Sequence, residues 1–159
     1  RRGRSAAHTQ RDLGRHVERI SRKIQRPILT AASEFSEPKS LLVAYDGKRM
    51  TRGCITLIAG NAALADLPVH VVMSGKQTNE SEKQLHWATE TLVLGGFSVE
   101  TAYLPGDPEQ QIMRVLNDRE IDILVMGAYS QSPLRSLFFG SKTNDLLRAS
   151  RVPTVTVHL

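Results

Sequence analysis

A glycine, two hydroxyl residues and a lysine stand together near the end of the chain, as Gly140-Ser141-Lys142-Thr143. The residues after them have the spacing of a helix, predicted over about 141–150. The first turn of a helix has unpaired N–H groups and the positive end of the helix dipole. Glycine lets an anion come close to that backbone, and the side chains add donors and charge. The stretch therefore predicts a phosphate-binding site. The alternative is that Ser141 is an ordinary N-cap. Neither of the phosphate-loop motifs GxxxxGK[ST] and GxGxxG is present to decide between the two.

The elements that must position this site alternate between strand and helix. Short apolar runs predict five buried strands, and the segments between them have helical periodicity or helix-capping residues. Asp107 is a predicted N-cap, with Pro108 in the first helical position. The predicted strands are residues 41–45, 69–73, 97–104, 121–126 and 152–157, and the predicted helices are 51–65, 82–94, 109–118 and 141–150.

Nearly continuous apolar strands that alternate with helices indicate an α/β fold, a doubly wound five-stranded parallel sheet with helices on both faces. Such sheets bind ligands at the carboxyl ends of the strands, where the strand order reverses. Asp46 follows the first predicted strand and Gly127 follows the fourth. A carboxylate at this point can accept hydrogen bonds from a ribose or a base. Asp46 is equally explained as the first residue of an Asp-Gly turn.

Charge and composition argue against several classes of protein, among them nucleic-acid-binding and membrane-spanning proteins. The net charge of +5 comes from residues 1–26, which carry nine Arg or Lys against two acidic residues, while the remainder is slightly acidic. Aromatic residues make up 5% of the chain, so no base-stacking surface and no specific nucleic-acid binding are expected. No apolar run is long enough to span a bilayer. The single cysteine, Cys54, fits a cytoplasmic protein and is expected to pack in the core. No pair of histidines has metal-ligand spacing, so no metal site is predicted. No Ser-His-Asp or Cys-His arrangement can be argued from the spacing, so no catalytic residue is predicted.

The first part of the chain resembles its end. At a constant offset of 126, Gly14 matches Gly140, Arg22 matches Arg148, Pro27 matches Pro153 and Thr30 matches Thr156. This indicates an internal repeat of the last helix–strand unit. Residues 1–36 are therefore interpreted as the end of a preceding copy with the start of a linker, and residues 39–159 as the domain that carries the predicted phosphate site.

Residues 39–159 resemble a universal stress protein domain over their whole length. The resemblance rests on LLVAYDG at the first strand and on DILVMGAYSQSPLRSLFFGSKTNDLLRASRVPTVTV at the end. The family's nucleotide-binding pattern is Gly, two residues, Gly, nine residues, Gly, then Ser or Thr. This chain has Gly127, Ser130 in place of the second glycine, and Gly140-Ser141. Lys48 stands where the family often has serine.

The resemblance implies a strand order of 3-2-1-4-5 and an adenine-nucleotide site, with ATP as the expected ligand, AMP or ADP as alternatives, and Mg as counter-ion. By position it assigns Ala44 and Asp46 to the adenosine pocket and Val72 or Met73 to the adenine. The remaining positions flank the ribose and phosphates: Met126, Gly127, Tyr129, Ser130, Gly140, Ser141, Lys142 and Thr143.

The implied function is a stress-response regulatory module that binds ATP with slow or no hydrolysis. Two alternatives stay open: a family member without nucleotide that acts by dimerisation, and an enzyme of the adenine-nucleotide α-hydrolase type. Family members pair through their last strands. We therefore expect a homodimer, or an internal pseudo-dimer in which residues 152–157 pair with residues 27–30 of the preceding copy.

Overall fold

The computed structural model describes residues 26–32, 35–127 and 152–157. These residues form six strands and three α-helices, with one short 3-10 helix at Ala62–Leu64. The strands are β1 (Ile28–Thr30), β2 (Leu41–Tyr45), β3 (Val69–Ser74), β4 (Val99–Leu104), β5 (Ile123–Gly127) and β6 (Thr154–Val157). The helices are α1 (Arg49–Ala59), α2 (Asn79–Leu94) and α3 (Pro108–Asp118).

All strands belong to one sheet with the order β1-β6-β5-β2-β3-β4. Strands β2 to β6 pair in parallel, and their order β4-β3-β2-β5-β6 is the predicted 3-2-1-4-5 arrangement. The α/β doubly wound fold is therefore confirmed. The order reverses between β2 and β5, which are direct neighbours in the sheet.

The sheet has six strands rather than the predicted five because β1 extends it. Strand β1 pairs with β6 in antiparallel orientation, with Leu29 opposite Val155. The expected contact between the last strand and residues 27–30 is thus present. The interpretation of β1 as the end of a preceding copy stays a prediction.

Two apolar layers cover the two faces of the sheet. One layer joins α1 and α2 to the sheet through side chains such as Ile55, Leu92 and Val43. The other joins α3 through Ile112 and Leu116 to the opposite face. Strand β2 is buried along its whole length because its residues contribute alternately to both layers. The carboxyl ends of β2 and β5, in the middle of the sheet, are therefore held in fixed positions.

Helices α1 and α2 differ from the sequence prediction in their boundaries, and α1 already begins at Arg49 rather than at residue 51. Helix α1 ends at Ala59, because the Asn61 N–H turns to the Ile58 carbonyl, three residues back, and the Asn61 side chain caps the short 3-10 turn that follows. Helix α2 begins earlier than predicted, with Thr78 as its N-cap in a reciprocal capping box with Ser81. The Asp107 cap and Pro108 start of α3 are confirmed, with a 3.0 Å bond from the Gln110 N–H to Asp107 Oδ1.

The predicted fourth helix, 141–150, lies outside the described residues. Among the helices within the described ranges, none combines the length and the apolar character needed to cross a membrane.

Candidate functional site

The described residues that the sequence assigned to a nucleotide site meet at one edge of the sheet. Ala44 pairs with Met126 across β2 and β5, and with Val72 across β2 and β3. Asp46 directly follows β2, and Gly127 ends β5. The structure thus brings together the members of the predicted set that it describes. They lie at the carboxyl ends of parallel strands, where the strand order reverses.

Four of these side chains are buried in the protein core rather than exposed at the edge. Ala44, Val72, Met73 and Met126 are each at most 3% exposed. Val72 packs in the α3 layer, whereas Met73 packs in the layer of α1 and α2. These residues can therefore form the floor of a site and offer backbone groups, while recognition by side chains falls to the residues that follow the strands.

Asp46 holds the turn between β2 and α1 in one conformation. Its Oδ1 accepts a 2.6 Å bond from the Thr51 hydroxyl and a 3.0 Å bond from the Lys48 N–H. The Thr51 hydroxyl also donates to the Lys48 carbonyl oxygen at 3.1 Å. Thr51 is 2% exposed, whereas Asp46 is half-buried. The carboxylate is consequently fixed just beyond the end of β2, and the turn role of Asp46 is confirmed. Its contact with a ribose or a base stays a prediction.

Gly47 is required by its conformation and by a contact that the sequence did not indicate. Its φ of +73° lies in the region that favours glycine. A Cβ atom at this position would lie 1.9 Å from Oε1 of Gln84 on α2. Gln84 therefore packs directly over the turn. Nothing in the local pattern of α2 marks this residue, because the contact depends on how α2 docks beside α1.

Gly127 lets the end of β5 approach the first turn of α1. A Cβ atom there would lie 2.7 Å from Met50 Cβ and 3.3 Å from the Met50 carbonyl carbon. The sequence predicted that Gly127 lies beside a ligand, and the structure shows that Gly127 also lets β5 pack closely against Met50. The edge between β2 and β5 is therefore bordered by the N-terminal end of a helix.

The start of α1 is electropositive. Its N-cap, Lys48, makes no side-chain capping bond, and no acidic residue lies in the first turn. The Lys48 and Arg49 side chains are exposed. Cations at the N-terminal end of a helix add to the positive end of the dipole instead of balancing it. The Asp46 carboxylate on the Lys48 N–H offsets part of this positive charge, and the two exposed cations leave the start of α1 with a net positive charge that can attract an anion.

Two ionisable groups beneath the turn are buried and held neutral. Burial raises the pKa of Tyr45 to about 12, with Arg52 partly offsetting the rise and Asp46 adding to it. No described atom meets hydrogen-bond geometry with the Tyr45 hydroxyl. Burial likewise raises the pKa of Cys54 to about 12, and the Asp46 charge adds to this effect. Cys54 is thus a core thiol, as the sequence predicted, and not a nucleophile.

From these two raised pKa values we expect the stability of the fold to fall at alkaline pH. A group whose pKa is higher in the folded than in the unfolded state stabilises the fold below the unfolded pKa, and this contribution is lost as pH rises towards the folded value. The ordinary values are 9.0 for Cys54 and 10.0 for Tyr45. We expect the urea midpoint to fall as pH rises from 9 towards 12. Cys54→Ala should delay the onset of this fall. An identical pH profile for the variant would contradict the assignment to Cys54.

A second polar cluster lies away from this site, on the α3 side of β3 and β4. The Arg119 guanidinium contacts Glu100 at 2.6 Å, and His70 Nδ1 lies 3.3 Å from the same carboxylate oxygen. The side-chain hydrogen bond from Arg119 is the main cause that lowers the pKa of Glu100. A groove of about 250 Å³ runs beside the cluster, between α3 and β4, with an apolar floor of Val72, Ala102, Leu104 and Val115. We call it the β4 groove. His70, expected to be structural, serves here to link strand to helix.

The remaining predicted site residues lie outside the described ranges. They are Tyr129, Ser130, Gly140, Ser141, Lys142 and Thr143. Within the described ranges, no three His, Cys, Asp or Glu side chains form a group that could hold a metal ion. Among the described residues, the groups that fit an adenine nucleotide are the Asp46 carboxylate, which accepts hydrogen bonds, and the start of α1, whose dipole and cations attract phosphate.

Comparison with known proteins identifies the family of the chain. The model of the universal stress protein family matches residues 58–158, which is more than half of the chain. The chain belongs to the universal stress protein family. Over 158 residues it is also 37% identical to the universal stress protein Slr1230 of Synechocystis sp., covering 98% of this chain and 55% of that protein. This universal stress protein chain thus spans about half the length of that curated relative.

Solved structures of the family share its fold. The chain matches a universal stress protein in complex with cAMP with a TM-score of 0.61 at 18% identity, over 77% of this chain and 98% of that one. It matches an Archaeoglobus fulgidus universal stress protein in complex with dAMP with a TM-score of 0.55 at 23% identity, over 74% and 96%. It matches an Arabidopsis thaliana family protein with AMP bound with a TM-score of 0.52 at 12% identity, over 75% and 91%.

Proposed function

We propose that this universal stress protein chain binds an adenine nucleotide at the carboxyl edge between β2 and β5, as a regulatory module of the stress response. The observation that carries the proposal is the meeting of the fixed Asp46 carboxylate with Gly127 and the start of α1. A carboxylate accepts from ribose hydroxyls or base N–H groups, and the positive helix end attracts phosphate. Family members of the same fold were solved with cAMP, dAMP and AMP.

Within this proposal, the backbone at Ala44 and at Val72 or Met73 forms the adenosine wall. The phosphates lie against Gly127 and the start of α1, and against the segment that contains Ser130 and Gly140 to Thr143. ATP, with Mg on its phosphates as counter-ion, is the proposed ligand, and AMP and ADP use the same adenosine contacts. Hydrolysis is proposed to be slow or absent, which separates this function from an α-hydrolase-type enzyme.

The pairing of β1 with β6 favours a role for the last strand, β6, in joining two copies of the domain. We propose that residues 1–36 end a preceding copy and that the two copies form an internal pseudo-dimer through β1 and β6. The antiparallel register of Ile28 opposite Thr156 supports this arrangement, because an antiparallel pair of equivalent strands is what a two-fold axis produces. A universal stress protein that acts by pairing alone would keep this contact and bind no nucleotide.

A thermal-shift panel tests the nucleotide proposal. A ligand that binds the folded state raises the unfolding temperature, with about 2.7 kcal/mol of added stability at a ligand concentration of about 100 Kd. We expect AMP, ADP and ATP to raise the midpoint and GTP to leave it unchanged. Phosphate release from ATP should stay near the rate without protein. If no adenine nucleotide shifts the midpoint, the pairing-only role is favoured; rapid phosphate release would favour the enzyme.

A further inference from the structure

Strand β4 leaves one edge of the sheet open in the part of the chain that the structure describes. It is the last strand in the order and pairs only with β3 on its other side. The Ser98 and Leu104 carbonyls accept from Val69 and Gly75 N–H groups, so the even-numbered positions of β4 face β3. In a parallel ladder, alternate residues turn away from the partner. Val99, Thr101 and Tyr103 therefore direct their backbone N–H and C=O groups outward.

Among the residues that the structure describes, this edge lacks several of the devices that usually prevent pairing. Edge strands are commonly very short, or are protected by lysine, proline or an unpaired charge. The sequence of β4, VETAYL, has neither lysine nor proline and runs for six residues. Its one charge belongs to Glu100, which is neutralised by Arg119 at 2.6 Å. The opposite end of the sheet differs, because β1 has only three residues.

The same strand is complementary to a second copy of itself. If two β4 strands pair in antiparallel orientation about Thr101, Thr101 faces Thr101 of the second copy and Val99 faces Tyr103. These are the positions whose backbone groups point outward, so every such pair is a hydrogen-bonded pair. Threonine pairs and aromatic–β-branched pairs are favourable across strands. Glu100 falls opposite Ala102, so no two like charges face each other.

The β4 groove adds a second surface to this contact. A two-fold axis perpendicular to the sheet keeps equivalent faces on the same side, so the two α3 helices would flank the axis. The groove between α3 and β4, with Ala102 and Leu104 in its floor, would then be closed by the second copy. The carboxyl ends of the two copies would point in opposite directions. Both nucleotide sites would remain open.

We propose that the open edge of β4 is an interface at which two copies of this chain pair in antiparallel orientation about Thr101. The occupant is a second copy rather than an unrelated strand, because the register about Thr101 is free of charge conflict and satisfies the outward backbone groups of all three positions. The interface is separate from the β1–β6 contact and does not depend on nucleotide binding.

A charge-exchange experiment tests this pairing by sedimentation velocity of the full chain. Thr101→Lys and Thr101→Glu each place like charges opposite each other at the axis, so each variant alone is expected to be a monomer. The two variants mixed are expected to form a dimer, since the opposite charges then face each other. Thr101→Val, which keeps strand propensity, is the matched control and should dimerise like the wild type.

A proline variant tests whether backbone hydrogen bonds hold the two β4 strands together in the proposed dimer. The Thr101 N–H faces outward, so Thr101→Pro leaves the β3 ladder intact and removes only edge hydrogen bonds. It should remain folded by circular dichroism and lose the dimer. The proposal is overturned if the wild type is a monomer at all accessible concentrations. It is equally overturned if the lysine variant still dimerises, or if the mixture of lysine and glutamate variants stays monomeric.

Discussion

Gly127→Val is expected to abolish nucleotide binding and to destabilise the fold by roughly 1–3 kcal/mol, the usual range for overpacking a close contact. The first atom of the new side chain would lie 2.7 Å from Met50 Cβ, a distance that real structures do not tolerate. Either the end of β5 or the first turn of α1 must move. Both border the proposed site, so adenine-nucleotide affinity should fall more than tenfold. Urea unfolding and a calorimetric titration with AMP measure the two effects.

Gly60→Ala is the matched control for this variant. Gly60 also adjoins α1, has a negative φ, and a Cβ there would lie 3.3 Å from its nearest neighbour, the Thr56 carbonyl oxygen. It should leave affinity unchanged, because Gly60 lies at the opposite end of α1 from the proposed site. If Gly127→Val binds AMP as tightly as the wild type, the site does not lie at the edge of β2 and β5.

Asp46→Ala is expected to lower adenine-nucleotide affinity at least tenfold. A hydrogen bond to a charged group contributes about 1.5–3 kcal/mol, and the variant removes the one carboxylate that follows β2. The variant also removes the acceptor for Thr51 and for the Lys48 N–H, so the turn itself is weakened. A loss of affinity could therefore arise from the missing carboxylate or from the displaced turn.

Thr51→Val separates these two causes. Valine keeps the buried volume at position 51 and removes the 2.6 Å bond to Asp46 without removing the carboxylate. We expect this variant to lose stability but to bind AMP within a few-fold of the wild type. Equal loss of affinity in both variants would mean that Asp46 acts by positioning the turn. Unchanged affinity in Asp46→Ala would contradict any contact between Asp46 and the nucleotide.

The sequence predicted the strands well because burial on both faces leaves a distinctive pattern. The run at 41–45 is apolar throughout, and the structure buries every residue of Leu41–Tyr45. Helix ends were harder to place, because their position depends on single caps. Helix α1 ends at Ala59 within a continuing apolar pattern, and Thr78 caps α2 four residues before its predicted start at residue 82.

The sequence predicted those parts of the candidate site that follow from the order of strands and loops along the chain. Asp46 and Gly127 could be placed at one edge because neighbouring parallel strands present their carboxyl ends together. The contact of Gln84 with Gly47 and the approach of Gly127 to Met50 depend on how helices dock on the sheet, which no local pattern encodes. Strand geometry alone predicts that Val72 and Met73 face opposite sides of the sheet, but which helices cover each side became visible only in the structure.

A calorimetric titration of the wild-type chain with ATP, and in parallel with AMP and GTP, tests the central claim most directly. We predict saturable binding of ATP and AMP with a Kd in the micromolar range, about −8 kcal/mol. GTP should give no saturable heat. Folded protein that takes up neither ATP nor AMP, or that binds GTP as tightly as ATP, would contradict an adenine-nucleotide site at the edge of β2 and β5.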